Sequence, residues 1–268
     1  MAKKLIVSNW KMNPDSLKEA NGLFTAVKKA ATKLKRVKAI ICPPAVFLCP
    51  LATGYLPERR RSERAGRLQA TSFTLGAQDC FHEKKGAHTG ELSAAMLCKA
   101  GARYVLVGHS ERREQGETNS HAARKISNAF DAGLVPILCI GEKVRDEHGF
   151  FLKYIEEQLS ESLNGVSKKR IASVIVTYEP IWAISTNDLR PATPEECNEM
   201  VLYIRKLLAA KIGVGAAKAV PFLYGGSVDA KNCEVFLRHG GVQGLLVGHA
   251  SLDAKQFTAI LQLAEKLP

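Results

Sequence analysis

Residues 171–182 read IASVIVTYEPIW, and this stretch decides the fold. The residues up to Thr177 are apolar and mostly β-branched, which predicts a strand buried on both faces, as in a parallel sheet. Pro180 would end that strand and leave Glu179 at its carboxyl end, where parallel barrels carry their catalytic groups. Beside an isoleucine and a tryptophan, this carboxylate could have a raised pKa and act as a general base. A lone glutamate here is more often a charge at a helix N-terminus, so other segments have to support the hypothesis.

Polar residues follow three further apolar runs. Asn9 and Lys11 come after the run LIV at 5–7 and suit an anionic substrate. His109 follows YVLVG at the start of a predicted helix that Ser110 could cap, and the positive field there lowers the pKa of a histidine. A neutral ring at that position can donate to a carbonyl oxygen. The glycines and serine of 225–227 let backbone N–H groups converge on an anion. Each feature also has an ordinary structural explanation, so the combination carries the argument.

Strand and helix patterns alternate along the whole chain. We therefore predict a parallel sheet closed into a (β/α)8 barrel, the TIM-barrel fold, as a single domain over 1–268. A doubly wound open sheet is the alternative, but no GxGxxG follows the first strand. The predicted strands cover 4–9, 37–42, 72–78, 103–108, 134–139, 171–177, 220–224 and 243–247. The predicted helices cover 15–34, 45–53, 91–100, 117–132, 150–163, 194–212, 229–239 and 253–266.

These segments together resemble the triosephosphate isomerase family, over nearly the whole chain. The matching motifs are NWKMN (9–13), GHSERR (108–113), YEPIWAI (178–184), ATPEE (192–196), YGGSV (224–228) and GLLVGHASL (244–252). The resemblance implies an isomerase that interconverts dihydroxyacetone phosphate and D-glyceraldehyde 3-phosphate without a cofactor or a metal. Its place in metabolism would be glycolysis or gluconeogenesis.

The resemblance also implies residue roles, since this family is the standard case of a glutamate base paired with a neutral histidine. Glu179 would move the proton between carbons, and His109 would polarise the carbonyl. Asn9 and Lys11 would bind the substrate and steady the oxyanion. The supporting residues would be Ser110, which contacts the base in the open state, Glu111, which lies near the lysine, and Tyr224, which with Ser227 holds the closed lid.

The phosphate site and the lid show the main departures from the family. The resemblance places the phosphate at Gly226, Ser227 and Gly248, with Ser185 from the lid. His249 stands where the family has glycine; it could bind the dianion if protonated, or cost strain if its φ is positive. The lid would comprise Pro180, Ile181, Trp182, Ala183, Ile184, Ser185, Thr186, Asn187 and Asp188, with Ser185 and Asn187 in place of glycines. We therefore expect reduced catalytic efficiency; the alternative is a phosphometabolite-binding barrel with little turnover.

Composition restricts the other possibilities. The chain has 268 residues, a formal net charge of +12 and seven dispersed cysteines without a CxxC pair, which favours a cytoplasmic protein with reduced thiols. The start lacks a signal-peptide pattern, and no stretch is long enough for a membrane span. A basic insertion at about 54–70 could contact RNA through 58–67, but a surface insertion is the favoured interpretation.

The resemblance implies a homodimer through the 80–89 loop, which would reach the neighbour's active site. The substrate would be a small phosphorylated triose, with another small phosphosugar left open, and nucleic acid is not favoured as a partner.

Overall fold

The computed structural model describes residues 3–53, 72–184 and 190–268. Eight parallel strands form a closed barrel in which each strand pairs with its neighbours in chain order. The barrel closes where β8 pairs with β1, with Leu5 opposite Gly244. The strands are β1 (Lys4–Asn9), β2 (Val37–Cys42), β3 (Phe73–Ala77), β4 (Tyr104–Val107), β5 (Val135–Ile140), β6 (Ile175–Tyr178), β7 (Phe222–Tyr224) and β8 (Gly244–Val247). The predicted TIM barrel is confirmed, and the open doubly wound sheet was wrong.

Helices follow the strands around the outside. The α-helices among the described residues are α1 (Leu17–Ala31), α2 (Ala45–Thr53), α3 (Ala94–Lys99), α4 (Ser110–Glu114), α5 (Asn119–Asp131), α6 (Phe150–Ser162), α7 (Lys168–Ile171), α8 (Pro194–Ile212), α9 (Val214–Ala219), α10 (Cys233–His239) and α11 (Ala254–Lys266). Two 3₁₀ turns, Ile181–Ala183 and His249–Leu252, follow β6 and β8. None of the helices in the described ranges is both long and apolar enough to cross a membrane.

Side-chain caps start several helices where the sequence offers serine or threonine. Ser16 accepts a hydrogen bond from Glu19 N at the start of α1, and Thr193 accepts one from Glu196 N at the start of α8. Glu196 in turn accepts from Thr193 N at 2.8 Å, which completes a capping box just ahead of Pro194.

The core has two layers. Side chains on the outward faces of the strands pack against the helices, as Ile6, Ile41 and Leu138 do. Alternate side chains fill the barrel interior: Val7, Ile40, Cys42, Leu106, Ile137, Cys139, Ile175, Leu223 and Leu246. Position 76 in β3 faces the same interior, where a Cβ would lie 2.7 Å from Cys42 Sγ, so glycine is required there.

The sixth strand is shorter than the sequence predicts. Its apolar run was predicted to be extended from Ile171, but Ser167 caps the short helix α7, accepting from Arg170 N at 3.4 Å. Pairing with β5 begins only at Ile175. Ile171 is the last residue of α7 and is buried there, which explains why an apolar residue lies outside the strand. The predicted insertion at 54–70 lies outside the described residues.

Candidate active site

The carboxyl ends of the strands bring the four predicted catalytic residues together. Asn9 ends β1, Lys11 follows two residues later, His109 follows β4, and Glu179 directly follows β6. All four line one cavity of about 340 Å³. Parallel strands place their carboxyl ends at one rim of the barrel, so residues distant in sequence meet there. The volume suits a small ligand.

The centre of the cavity is a buried pair. His109 Nε2 lies 2.9 Å from Glu179 Oε1, and both side chains are almost fully buried. The backbone N–H of Ser110 donates to Glu179 Oε2 at 3.1 Å. Asn9 Nδ2 lies 3.3 Å from His109 Nε2. Ser110 thus contacts the carboxylate, as the resemblance implies.

The pair sets the protonation of both groups. Burial raises the pKa of Glu179, but the adjacent His109 and the Ser110 N–H outweigh it, and the net shift is downward. Burial lowers the pKa of His109, but the Glu179 carboxylate outweighs it, and the net shift is upward. The sequence predicted a lowered His109 pKa and a raised Glu179 pKa; both directions were wrong for this arrangement, because the two groups contact each other.

The start of α4 differs from the sequence prediction in one respect. Ser110 was predicted to cap the helix, but it is the first helical residue, and His109 is the cap. The backbone N–H of Glu111 donates to His109 Nδ1 at 3.3 Å. A ring nitrogen that accepts from an amide carries no proton, so in the neutral ring this contact places the proton on Nε2, facing the cavity.

Lys11 is held in an unusual backbone conformation. Its φ is +54°, the one positive value among the non-glycine residues that the structure describes. Its N–H donates to Asn9 Oδ1 at 3.0 Å, and its carbonyl accepts from Gln78 Nε2 at 2.8 Å. Its ammonium lies 2.7 Å from Glu111 Oε1. The backbone strain is therefore supported by two side chains, and the charge is aimed at the cavity beside a carboxylate, where the resemblance places Glu111.

The far side of the cavity carries the predicted anion-binding residues. Gly226, Ser227, Gly248 and His249 all line it. His249 is exposed and lies in the 3₁₀ turn that follows β8. Its φ is not positive, so the strain that a positive φ would cost does not arise at this position.

Gly226 is required by its neighbour Tyr224. A Cβ at position 226 would lie 2.2 Å from the Tyr224 hydroxyl. That hydroxyl is buried and has no hydrogen-bond partner among the residues that the structure describes. The Tyr224 ring stacks on Phe236 with centroids 3.9 Å apart, which fixes the ring below the glycine loop.

The structure describes only the first part of the predicted lid. Pro180 precedes the 3₁₀ turn Ile181–Ala183, whose side chains are buried, and Ile184 lines the cavity. The predicted lid residues Ser185, Thr186, Asn187 and Asp188, including the predicted phosphate ligand Ser185, lie outside the described residues.

The sequence argument missed two residues beside this segment. Glu142 follows β5 and is buried; its Oε1 accepts from Tyr178 Oη at 2.7 Å and from Trp182 Nε1 at 2.8 Å. Burial raises the pKa of Glu142, against those two hydrogen bonds. Arg190 lies over the Trp182 ring and pairs with Glu196. A glutamate just after a predicted strand was a usable signal for Glu142; Arg190 had none.

Among the described residues, no group of three or more His, Cys, Asp or Glu side chains is arranged so that it could bind a metal ion.

Comparison with known proteins agrees with this geometry. The family model described as triosephosphate isomerase matches residues 4–264. The triosephosphate isomerase of Dehalococcoides mccartyi strain BAV1 is 41% identical over 266 residues, covering 98% of this chain and 97% of that protein. That of Aquifex aeolicus is 40% identical over 262 residues, covering 97% and 98%. The crystal structure of triosephosphate isomerase from Bartonella henselae is 32% identical, with a TM-score of 0.79, covering 98% of this chain and 100% of that one. The chain therefore belongs to the triosephosphate isomerase family.

Proposed function

We propose that this protein interconverts dihydroxyacetone phosphate and D-glyceraldehyde 3-phosphate through an enediolate. The observation that carries the proposal is the buried Glu179–His109 pair at 2.9 Å, facing a cavity that Lys11 also lines. A carboxylate and an imidazole so placed can act on two adjacent carbon–oxygen centres of one small substrate. The family assignment supplies the substrate class.

Glu179 is the base in this mechanism. It removes a proton from the carbon next to the carbonyl and returns it to the neighbouring carbon. Its folded-state pKa is below the usual value, so it is ionised and ready to accept a proton at neutral pH. Burial removes water from the carboxylate, which strengthens it as a base once substrate replaces His109 beside it.

His109 is the electrophile. Substrate that enters between the two side chains separates Glu179 from the ring and removes the interaction that raises the His109 pKa. Burial and the Glu111 N–H at Nδ1 then both favour the neutral ring with its proton on Nε2. That proton donates to the carbonyl oxygen, and the Lys11 ammonium and Asn9 amide steady the charge that develops there.

The substrate phosphate lies on the opposite side of the cavity. Gly226 and Gly248 lack side chains, so their backbones can approach an anion closely. Ser227 adds a hydroxyl, and His249 adds an imidazole at the exposed edge. The lid sequence at 185–191 departs from the family, and we infer a lower catalytic efficiency, with some loss of phosphate from the enediolate to give methylglyoxal.

A homodimer through the 80–89 loop belongs to the proposal. Residues 84–89 of this loop are exposed, and Met12 and Met96 are exposed apolar side chains at 91% and 58%. Met12 and Asp79, the residue that precedes the loop, line one depression. Light scattering at micromolar concentration should give twice the chain mass; a monomer would contradict the dimer.

All seven cysteines are free in the structure, which supports a reducing compartment. A cytoplasmic location stays a prediction.

The function is tested by adding glyceraldehyde 3-phosphate to the pure protein and following the products by NMR. We expect dihydroxyacetone phosphate from the unaltered protein, and loss of about 10²–10⁴-fold in kcat for Glu179→Gln. Methylglyoxal beside the product would indicate inefficient closure, and family residues at 185–191 should then suppress it. Binding of substrate without turnover above the variant would instead favour a phosphometabolite-binding barrel.

A further inference from the structure

A buried lysine lies behind the active site and takes no part in the proposed chemistry. Lys125 of α5 is 3% exposed. Its ammonium contacts Asp79 Oδ1 at 2.6 Å and Glu117 Oε2 at 2.7 Å. A buried ammonium is costly unless it is paired, and here two carboxylates compensate it. Removing the lysine would leave both carboxylates without this partner.

Glu117 connects this lysine to the backbone next to the catalytic histidine. Its side chain is 3% exposed, and its second oxygen, Oε1, accepts from the Gly108 N–H at 2.9 Å. The carboxylate therefore has one oxygen on Lys125 and the other on the residue that precedes His109. Lys125 and the Gly108 N–H therefore share one buried carboxylate as their partner.

Gly108 is held from both sides. Its φ is +71°, and its carbonyl accepts from Arg113 Nε at 2.7 Å. A Cβ at this position would lie 2.7 Å from the Arg113 guanidinium and 3.1 Å from the Cys139 carbonyl. The peptide groups on both sides of its Cα are thus fixed by charged side chains, and the second of those groups carries the nitrogen of His109. The direction of the imidazole follows from this anchoring.

Asp79 connects the same lysine to the 80–89 loop. It immediately precedes Cys80 and is also contacted by Arg112 Nε, at 2.8 Å from Oδ2. Burial raises the pKa of Asp79, and the ammonium of Lys125 opposes that rise. Lys125 thus pairs with Asp79, which precedes the 80–89 loop, and with Glu117, which accepts from the N–H of the residue before His109.

We propose that Lys125 is a positioning residue that couples the 80–89 loop to the orientation of His109, through Asp79 on one side and Glu117 with Gly108 on the other. The inference rests on the proposed function, because its measurable consequence is the rate of isomerisation. A displaced loop moves Asp79, the lysine follows, and the Gly108–His109 peptide loses its support. Lys125 touches no substrate, so its loss should lower kcat more than it changes KM.

The test compares Lys125→Met and Asp79→Asn with the unaltered protein in the NMR isomerisation assay at 25 °C. Lys125→Met keeps most of the length of the side chain but loses the charge. We expect kcat to fall about 10- to 100-fold, because small misplacements of catalytic groups have effects of this size. Asp79→Asn should lower kcat about 3- to 10-fold. The effect is smaller because Lys125 stays paired to Glu117, so His109 is displaced less. KM should stay within about 3-fold in both, because ground-state binding is retained. Lys153→Met, which removes an exposed lysine of α6, is the matched control and should behave as the unaltered protein.

The double variant decides whether the two residues act through one path. If Asp79 acts on the histidine through Lys125, the double variant loses no more kcat than Lys125→Met alone; additive losses would overturn the coupling. A Lys125→Met protein with full kcat and a lowered melting temperature would show a purely structural lysine and refute the proposal. Should Lys125→Met fail to fold, Asp79→Asn decides, and an unchanged kcat there refutes the link to the loop. Absence of turnover in the unaltered protein would instead refute the proposed function.

Discussion

The backbone of Glu179 packs directly against Gly141, and this contact leaves no room for a side chain at position 141. At Gly141, which follows β5, a Cβ would lie 1.8 Å from the carbonyl oxygen of Glu179. The Glu179 N–H donates to the Ile140 carbonyl at 2.8 Å, so β6 continues its pairing up to the catalytic residue. The position of the base is therefore set by main-chain contacts, and only the side chain is left to respond to substrate.

Lys11 offers a prediction at this scale. Lys11→Met keeps most of the length of the side chain but removes the ammonium beside the cavity. We expect kcat/KM to fall about 100-fold or more, with KM raised as well as kcat lowered, since the charge acts on both the bound substrate and the developing oxyanion. Steady-state kinetics in the isomerisation direction measures both constants. An unchanged KM would show that the ammonium does not touch the bound substrate.

The placement of the candidate residues could be predicted from the sequence, and the environment of their side chains could not. Asn9, Lys11, His109 and Glu179 each follow an apolar run, but they were selected because their motifs together resemble one family, and the structure places all four around one cavity. The pKa directions could not be predicted, because they depend on a contact between residues 70 positions apart. The φ of His249 could not be predicted either, since the sequence shows that glycine is replaced there but not whether the turn requires a positive φ.

At the scale of elements, the residues on either side of the lid sequence are joined by one arginine. The Arg190 guanidinium lies 5.1 Å from the Trp182 ring centroid, and its two terminal nitrogens donate to the Glu196 carboxylate. Glu196 also closes the capping box of α8. The 3₁₀ turn after β6 and the start of α8 are thus linked by a stacked cation and an ion pair. The sequence predicted the helix start from Thr193 and Pro194 but not this link, which depends on three-dimensional proximity.

This ion pair predicts a dependence of stability on pH. Hydrogen bonding to Arg190 lowers the pKa of Glu196 from 4.5 to about 2, with a further contribution from the Thr193 N–H. A carboxylate with a depressed folded-state pKa adds stability above its unfolded value, and that stability is lost as pH falls from about 4.5 towards 2. Glu196→Gln, which can still accept the capping hydrogen bond, should lower the melting temperature at pH 7 by an amount equivalent to about 1 kcal/mol or less, because Arg190 is exposed and solvent screens its charge.

Thermal unfolding of the two proteins at several pH values checks this. The two melting temperatures should converge as the pH approaches 2. A difference that stays constant or grows below pH 4 would show that the charge of Glu196 is not the source of the stability.

The whole molecule depends on closure of the barrel between its last and first strands. Gly244 of β8 lies against Leu5 of β1 so closely that a Cβ would be 1.9 Å from the Leu5 carbonyl oxygen and 2.7 Å from a methyl group of Leu223. The strand count and the closed topology were predictable from the alternation of apolar runs. The need for glycine at the seam was not, because it arises from the tertiary approach of two strands 240 residues apart.

Gly244→Ala should therefore destabilise the whole barrel. We expect a loss of about 1–3 kcal/mol, or more if β8 cannot move, because the added methyl overpacks a main-chain contact. Gly22→Ala is the matched control: Gly22 is exposed in α1, and a Cβ there meets nothing within 4 Å. It should stabilise the protein by up to about 1 kcal/mol, since alanine is the better helix former. Equal melting temperatures for the two variants would contradict the role given to the seam.

The central claim is that Glu179 carries a proton between carbons of the substrate, and isomerisation of glyceraldehyde 3-phosphate in D₂O tests it most directly. A carboxyl that holds the proton during the reaction exchanges part of it with solvent, so proton NMR should find deuterium on carbon in part of the dihydroxyacetone phosphate formed. Glu179→Gln should lower the rates of turnover and of labelling together, by about 10²–10⁴-fold. Product that forms from Glu179→Gln at the rate of the unaltered protein would contradict the account, because the hydrogen would then move between the carbons without this carboxylate.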